Sequence, residues 1–157
     1  MTKLMENVNS RTQLVGRNRL ELLLFRLGQR QRFGINVFKV REVIKCPSLT
    51  RAPQAHPAIR GIANMRGKTI TVMDLALAVG KSPVTDLEES FVIVTEYNRH
   101  VQGLLVSSVD KIINMNWEDI KAPPDGIGNV TFLTAVTNVD GDLVEIIDVE
   151  KVMADIM

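Results

Sequence analysis

The sequence has 157 residues, of which 45% are hydrophobic, and its 19 Lys and Arg residues nearly balance its 18 Asp and Glu residues. This composition favours a folded chain with a packed core, and the charge balance excludes a strong long-range field for nucleic acid or anionic membranes. A single cysteine, Cys46, excludes a disulfide framework within the chain. The sequence has neither a signal-type apolar stretch at its start nor an apolar run of about 20 residues. We therefore expect a cytosolic protein without direct insertion into the membrane.

The first elements in chain order are an arm and a hairpin. Residues 1–18 are polar and mixed, so we expect a loosely held N-terminal arm. Residues 20–27 form an apolar run of strand length, and residues 33–37 follow after a glycine-containing turn, which is typical of a hairpin. Within residues 37–44 the apolar positions recur at helical spacing, which predicts a short helix or turn.

A second hairpin and a polar stretch complete the first half. Residues 59–65 and 68–75 flank Arg66-Gly67, which indicates two strands joined by a tight turn. Residues 80–89 are polar, acidic and interrupted by Gly and Pro. We interpret this stretch as the boundary between two halves of the chain.

The same plan recurs in the second half. Residues 91–95 and 100–106 are predicted strands, and residues 121–129 form a loop rich in Pro and Gly. Asp140-Gly141 lies between two further strand-like runs and is the strongest hairpin signal in the sequence. Residues 149–157 predict a closing helix.

An internal repeat relates these halves. A shift of 69 residues aligns Gly34 with Gly103, and it also aligns Val40 with Val109, Val43 with Ile112 and Ile44 with Ile113. A shift of 74 residues aligns the second hairpins, matching Asn64 with Asn138, Gly67 with Gly141, Val72 with Ile146 and Asp74 with Asp148. Two matches in the same order, each on a hairpin, indicate repeated architecture.

The repeat predicts a mainly β fold made of two pseudo-repeated, five-stranded small β-barrels with short helices. We place the first barrel at about residues 19–82, the second at about 90–150 and the closing helix at 149–157. Each half is too small to bury much apolar surface alone, so the barrels should pack together and leave a groove between them. Such a groove is a place for a partner helix or loop.

Catalytic and metal-binding motifs are missing from the sequence. It contains no glycine-rich phosphate loop, no HExxH and no CxxC pattern. His56 and His100 lie in or beside predicted turns, where we expect solvated or capping roles. Asp74 and Asp148 recur at equivalent strand ends, which favours capping of the following helices over acid–base work in a hydrolase. We therefore predict a protein that is not an enzyme and has no cofactor or metal.

The motifs together resemble the CheW family. The segments LLLFRLGQRQRFGINVFKVREVI, GIANMRGKTITVMDL and VDGDLVEIIDVEKV are similar to its first hairpin, its GxxNLRG hairpin and its closing DG hairpin. The resemblance covers roughly residues 20–155. Two departures are NMRG in place of the commoner NLRG, and Phe33 in place of the usual tyrosine.

Some segments are closer to the CheV branch, in which a CheW-like domain precedes a phosphorylatable receiver domain. These segments are SRTQLVGRNRLELLLFRL, HPAIRGIANMRG and INMNWEDIKAPP. The sequence is then either a fragment of a CheV-type protein or a free-standing relative, and a receiver domain after Met157 would distinguish the two.

The resemblance implies a non-enzymatic adaptor of bacterial chemotaxis. Its expected partners are the cytoplasmic tips of chemoreceptors and the regulatory domain of the histidine kinase CheA, at membrane-associated receptor arrays. By match to the family's motifs, the expected partner-binding residues are Val40, Glu42, Val43, Arg66 and Ile112. For Val40, Val43 and Ile112 a plain core role is the alternative, since apolar residues at such spacing usually face inward.

One alternative comes from a different functional class. The basic residues lean toward the start of the chain, as a small-barrel nucleic-acid-binding protein would require: Arg11, Arg17, Arg19, Arg26, Arg30 and Arg32. No aromatic residues are interleaved with these arginines for base stacking, so a solvated face is the simpler interpretation.

Overall fold

Ten β-strands in two five-stranded sheets dominate the computed structural model, which describes residues 19–28, 30–53, 55–122 and 133–156. The predicted arm, residues 1–18, and most of the predicted loop at 121–129 lie outside the described residues. The mainly β fold class is confirmed. The strands are β1 (Arg19–Arg26), β2 (Arg32–Asn36), β3 (Val40–Lys45), β4 (Ile59–Met65), β5 (Lys68–Asp74), β6 (Phe91–Tyr97), β7 (His100–Val106), β8 (Ser108–Asn116), β9 (Leu133–Val139) and β10 (Asp142–Ile147).

The helices of the described residues are short. They are α1 (Leu75–Ala78), the closing helix α2 (Val149–Ile156) and one-turn 3-10 helices at Val37–Lys39, Leu87–Glu89 and Trp117–Asp119. The predicted closing helix is confirmed, and it buries Val149, Val152 and Met153 against the larger hydrophobic core. Their spacing places these three side chains on one face of the helix.

Strand β1 is buried on both of its faces. Leu22 and Leu24 pack with Val144 in a smaller hydrophobic core, formed by residues of the sheet that contains β1. Leu23 and Phe25 belong to the larger hydrophobic core, which includes residues of both sheets. A strand buried on both sides needs apolar residues at successive positions. This explains why the sequence at β1 is a nearly continuous apolar run, with no alternation of apolar and polar residues.

The two sheets have the same strand arrangement. Their orders are β8-β1-β2-β10-β9 and β3-β6-β7-β5-β4, so each strand and the strand five places later in the chain occupy equivalent positions. Each sheet has a parallel pair at its centre, β2 with β10 and β5 with β7, and antiparallel pairs elsewhere. The repeat seen in the sequence is therefore a repeat of structure.

Equivalent bridges draw the edges of each sheet together. After β3 the chain pairs at Thr50 with Ile62 of β4, and after β8 it pairs at Lys121 with Val136 of β9. Each bridge has two backbone hydrogen bonds, of 2.7 and 2.8 Å at Thr50 and of 2.8 and 2.9 Å at Lys121. Because β3 and β4 are opposite edges of one sheet, and β8 and β9 of the other, the bridges curl each sheet toward a barrel.

The predicted division of the chain into barrels at about 19–82 and 90–150 is corrected by the strand pairing. One sheet combines β1 and β2 with β8, β9 and β10, and the other consists of β3 to β7. Each sheet thus takes strands from both halves of the repeat. Equivalent strands have similar patterns of apolar and polar residues. A sequence repeat therefore shows that two similar units exist, but it does not show whether a strand pairs within its own copy or with the other copy.

The predicted helical turn at residues 37–44 is also corrected. Only Val37–Lys39 is helical, as a 3-10 turn in which Asn36 accepts a hydrogen bond from the Phe38 amide at 2.9 Å. From Val40 onward the chain is strand β3, paired with β6. Its β-branched residues suit a pleated strand, and their spacing over so short a run does not distinguish helix from strand.

Both predicted capping aspartates do cap. The Asp74 carboxylate accepts hydrogen bonds from the amides of Leu77 at 3.2 Å and Val84 at 3.0 Å, and Arg60 pairs with it at 2.6 Å. The Asp148 carboxylate accepts hydrogen bonds from the amides at positions 150 and 151, at 3.0 and 3.2 Å. Their shared structural task explains why aspartate recurs at equivalent places in the repeat.

The repeat offers a matched test of packing at two glycines. A Cβ at Gly103 would lie 2.6 Å from Val92 Cγ1, whereas one at Gly34 would meet its nearest neighbour at 3.5 Å. Because Val92 is fully buried and short, it has little room to move. We expect Gly103→Ala to lower the free energy of unfolding by about 1–3 kcal/mol, the usual cost of overpacking.

The control is Gly34→Ala, which we expect to stay within about 0.5 kcal/mol of the parent protein. Urea denaturation of both variants measures the difference. Equal losses of stability at the two sites would contradict the packing described here.

Candidate partner-binding site

The turn between β4 and β5 places Arg66 in an unusual backbone conformation. Arg66 has φ of 54° and Gly67 has φ of 81°, and both values are in the left-handed region. The Asn64 side chain accepts a hydrogen bond from the Gly67 amide at 3.2 Å and holds the turn. Two positive φ angles are typical of a tight hairpin turn that follows the twist of its strands.

The equivalent turn between β9 and β10 has the same geometry with a different side chain. Asp140 has φ of 53°, and Asn138 accepts a hydrogen bond from the Gly141 amide at 3.1 Å. This turn therefore forms with an acidic residue where the other has Arg66. Asparagine and glycine are the residues that the left-handed conformation favours, so the turn itself does not call for arginine.

Arg66 pairs with Glu42 through a two-pronged ion pair. Its two terminal nitrogens lie 2.5 and 2.7 Å from the two Glu42 carboxylate oxygens. Glu42 belongs to β3 and Arg66 follows β4, which are the two edge strands of one sheet. The pair therefore joins these edges on the solvent side, where the Arg66 side chain remains 72% exposed.

This pairing changes the titration of Glu42. The hydrogen bonds from Arg66 lower the pKa of the Glu42 carboxyl, and the positive charges of Arg66 and Arg41 lower it further. The same contact raises the pKa of Arg66. The site therefore presents a fixed carboxylate and a guanidinium that still has free donors, since a guanidinium has five N–H groups.

The predicted apolar site residues divide into two groups. Val40 is half-buried and packs against the larger core, so it contributes to folding. Val43 is 37% exposed and Ile112 is 55% exposed. Val43 lies on β3 and Ile112 on β8, the equivalent edge strands of the two sheets. The structure thus brings Glu42 and Arg66 into contact and places Ile112 on the other sheet.

Sequence reasoning missed three features of the folded chain. The contact between Glu42 and Arg66 spans 24 residues and gives no local signal. The exposed rings of Phe38 and Trp117, at 57% and 51%, were also missed. Trp117 lines a cavity of about 230 Å³ with Leu20 and other apolar residues. The single tryptophan of the sequence, in a short helical turn, was the available signal for that cavity.

The groups best suited to chemistry have structural partners. Asp74 is fully buried and bonded to Arg60 and to two amides. The His56 ring nitrogen Nδ1 accepts a hydrogen bond from the Ala58 amide at 3.0 Å. Burial raises the pKa of the Cys46 thiol, which disfavours a reactive thiolate. Within the described residues no group of three His, Cys, Asp or Glu side chains is placed to hold a metal.

With this geometry in view, comparison with known proteins identifies the family. The sequence profile of the CheW-like domain matches residues 21–157. The chain belongs to the CheW-like domain family. Within the described residues, no helix is both long enough and apolar enough to cross a bilayer.

Individual relatives agree with this assignment. The probable chemotaxis protein CheW of Rhizobium etli is 28% identical over 137 residues, covering 86% of this chain and 88% of that protein. The chemotaxis protein CheV3 of Helicobacter pylori is 33% identical over 129 residues, covering 79% of this chain and 42% of that protein. The crystal structure of the scaffolding protein TtCheW from Thermoanaerobacter tengcongensis matches with a TM-score of 0.73 and 29% identity, over 82% of this chain and 88% of that chain.

These matches confirm the predicted likeness to CheW and to the CheW-like part of CheV. They also confirm the predicted role as a coupling adaptor in chemotaxis, a role of scaffold type. They give no support to the alternative of a nucleic-acid-binding protein. One of the arginines considered for that alternative, Arg32, is paired with Asp110 at 2.7 Å within the fold.

The ion pair can be tested through the pKa of Glu42. Because folding lowers this pKa, the pair stabilises the protein at pH values above the ordinary carboxyl pKa, and this contribution disappears as the pH falls through the lowered value. We expect Arg66→Ala to raise the Glu42 pKa toward its ordinary value. Nuclear magnetic resonance (NMR) titration of the side-chain carboxyl measures this shift.

The control is Arg41→Ala, since Arg41 contributes the smallest of the effects that lower the Glu42 pKa. We expect a smaller rise in that variant. A Glu42 pKa that does not respond to the loss of Arg66 would show that the pair does not form in solution.

Proposed function

We propose that this chain couples the cytoplasmic tips of chemoreceptors to the regulatory domain of the kinase CheA. The proposed contact surface consists of Val40, Glu42, Val43, Arg66 and Ile112. One observation carries the proposal: an exposed Arg66 is held by Glu42 at a turn whose fold does not require arginine. The membership of the chain in the CheW-like domain family supports it.

Arg66 is suited to recognising a partner because it is already oriented. The Glu42 carboxylate occupies two of its N–H donors and restricts its motion, so less side-chain entropy is lost when a partner binds. The remaining donors face solvent, where they can take a carboxylate or a backbone carbonyl of the partner. The equivalent turn carries Asp140, which supports the view that this position is free to serve function.

The exposed apolar residues supply the non-polar part of the proposed surface. Val43 and Ile112 are β-branched side chains on edge strands, and each leaves a substantial area open to water. Covering such side chains with a partner removes apolar area from water and favours association. Val40 has a supporting role, since its contacts with the core fix the position of β3.

The proposal includes where the protein works and how. It acts in the cytoplasm, at membrane-associated receptor arrays, and it acts by binding alone, without catalytic turnover. The structural engagement of Asp74 and Asp148 supports this mode, since both carboxylates already accept hydrogen bonds from backbone amides. The chain spans 42% of the CheV3 relative, so control by a further domain is outside this proposal.

Substitution of Arg66 tests the proposal. Arg66→Ala removes the guanidinium, keeps a Cβ in the same backbone conformation and should leave the melting temperature nearly unchanged, because exposed ion pairs contribute little. We expect its affinity for a receptor cytoplasmic fragment or for the CheA regulatory domain to fall by about tenfold or more. Arg66→Glu should bind more weakly still, since repulsion from Glu42 adds to the loss. Isothermal titration with parallel thermal melts measures both effects.

The matched control is Asp140→Ala at the equivalent turn, which should bind as the parent protein does. On the apolar side, Ile112→Ala should weaken binding, whereas Leu143→Ala, which alters a side chain of similar exposure on β10, should not. Unchanged binding in Arg66→Ala would exclude this position from the contact surface. Unfolding of Arg66→Ala would assign Arg66 a structural role.

A further inference from the structure

A basic cleft opens at one end of the second sheet. We define it by Arg41, Arg66, Lys68, Arg99 and His100, which line a cavity of about 490 Å³. Strands β5 and β7 run parallel, so the turns that precede them lie at the same end of the sheet. The register pairs Thr71 with Gln102. Lys68 is the first residue of β5 and Arg99 directly precedes β7, so both lie at this end of the sheet.

The positive charges of the basic cleft are only partly compensated. Arg66 pairs with Glu42, and Arg41 donates to Glu96 at 2.9 Å. Lys68 and Arg99 have no ion pair within the part of the chain that the structure describes, and both are exposed. The cleft therefore retains two free cations, beside the His100 imidazole and the unused donors of Arg66.

Two arginines of the basic cleft occupy positions where arginine is unfavourable for the backbone. Arg66 has φ of 54° and Arg99 has φ of 70°, the latter next to Asn98 with φ of 56°. In a tight turn with two positive φ angles, Asn-Gly is the favoured pair. Arg99 stands where glycine is favoured, and Arg66 where asparagine is. Backbone strain of this kind clusters at functional sites, where the side chain that causes it serves another purpose.

The floor of the basic cleft is apolar. It is formed by Met65, Ile70, Val94 and Val101. An occupant that fits must therefore present negative charges at the rim and an aliphatic side chain toward the floor. Within the described chain the lining of the cleft has no Phe, Tyr or Trp side chain, so a nucleic-acid base would have only the His100 imidazole to stack on. Carboxylates next to an aliphatic residue meet both requirements.

We propose that the basic cleft binds an acidic segment of a partner protein, with its carboxylates on Lys68, Arg99 and the free donors of Arg66. This proposal goes beyond the contact surface described under the proposed function, because it assigns Lys68, Arg99 and the apolar floor of the cleft to the binding of a ligand. The test below uses neither receptor nor kinase, so its failure leaves the coupling proposal standing.

The probe is a capped synthetic peptide with four glutamates around a central leucine. We expect it to shift the backbone amide signals of residues 66–69 and 98–101 in two-dimensional NMR spectra of the labelled protein. The fitted affinity should fall as salt is added, because the contacts are between exposed charges. A peptide with glutamine in place of glutamate should cause no such shifts.

The deciding variant combines Lys68→Gln with Arg99→Asn. Asparagine tolerates the backbone conformation of Arg99, so the melting temperature should stay the same or rise. The peptide affinity should fall by about tenfold, as expected for two exposed charge contacts. The control is Lys111→Gln with Lys151→Gln, which removes the same charge from exposed lysines on β8 and α2 and should bind the peptide normally.

Four outcomes would overturn the proposal. The first is that the amide signals shift at residues away from the two turns, and the second is that the double variant binds the peptide as the parent protein does. The third is that the glutamine peptide binds as tightly as the glutamate peptide. The fourth is that inorganic phosphate, at the concentration of the peptide, occupies the cleft equally well, which would indicate a site for small anions. If the double variant unfolds, Lys68→Gln with Arg99→Gly is measured in its place. Unfolding of both variants would assign these residues to the fold and also reject the proposal.

Discussion

Two parallel strand pairs, β2 with β10 and β5 with β7, tie the two halves of the chain together. Each pair lies at the centre of its sheet, and each joins a strand from the first half of the repeat to one from the second. The antiparallel hairpins on either side depend on these pairs for their place in the sheet. A parallel pair cannot be closed by a tight turn and needs a long connection.

The arrangement of the functional surface follows from the same pairs. Because β5 and β7 are parallel, the turns before them lie at one end of the sheet, which places both Lys68 and Arg99 at that end. At that end Arg66 reaches from β4 to Glu42 on β3 and connects the two sheet edges. The parallel pairing of β5 with β7 thus places both Arg66, which belongs to the proposed contact surface, and the unpaired cations of the basic cleft.

Local features of the fold could be predicted from the sequence. The turns at Arg66 and Asp140 were found because a tight hairpin turn needs particular residues, and Asp74 and Asp148 were found because capping needs a side-chain acceptor. Features set by long-range pairing could not be predicted. The sequence repeat is the same whether strands pair within a copy or between copies, so the exchange was missed.

The candidate site shows the same limit. The family resemblance named Glu42 and Arg66 separately, and only the folded chain shows that they bond to each other. The exposure of Val43 and Ile112 depends on their position at sheet edges, whereas Val40, at similar spacing, turns toward the core. Spacing along so short a segment does not separate these cases. The unusual backbone of Arg99 likewise has no signature in its side chain.

The strand exchange is tested most directly by backbone contacts across the two parallel pairs. The register places Gly34 opposite Ile146 and Val72 opposite Gly103. In the sequence repeat Gly34 is equivalent to Gly103 and Val72 to Ile146, so an arrangement without exchange would pair Gly34 with Val72 and Gly103 with Ile146. Nuclear Overhauser effects between backbone protons distinguish the two arrangements. Our account predicts Gly34 close to Ile146 and Val72 close to Gly103, and the opposite pairing would contradict it.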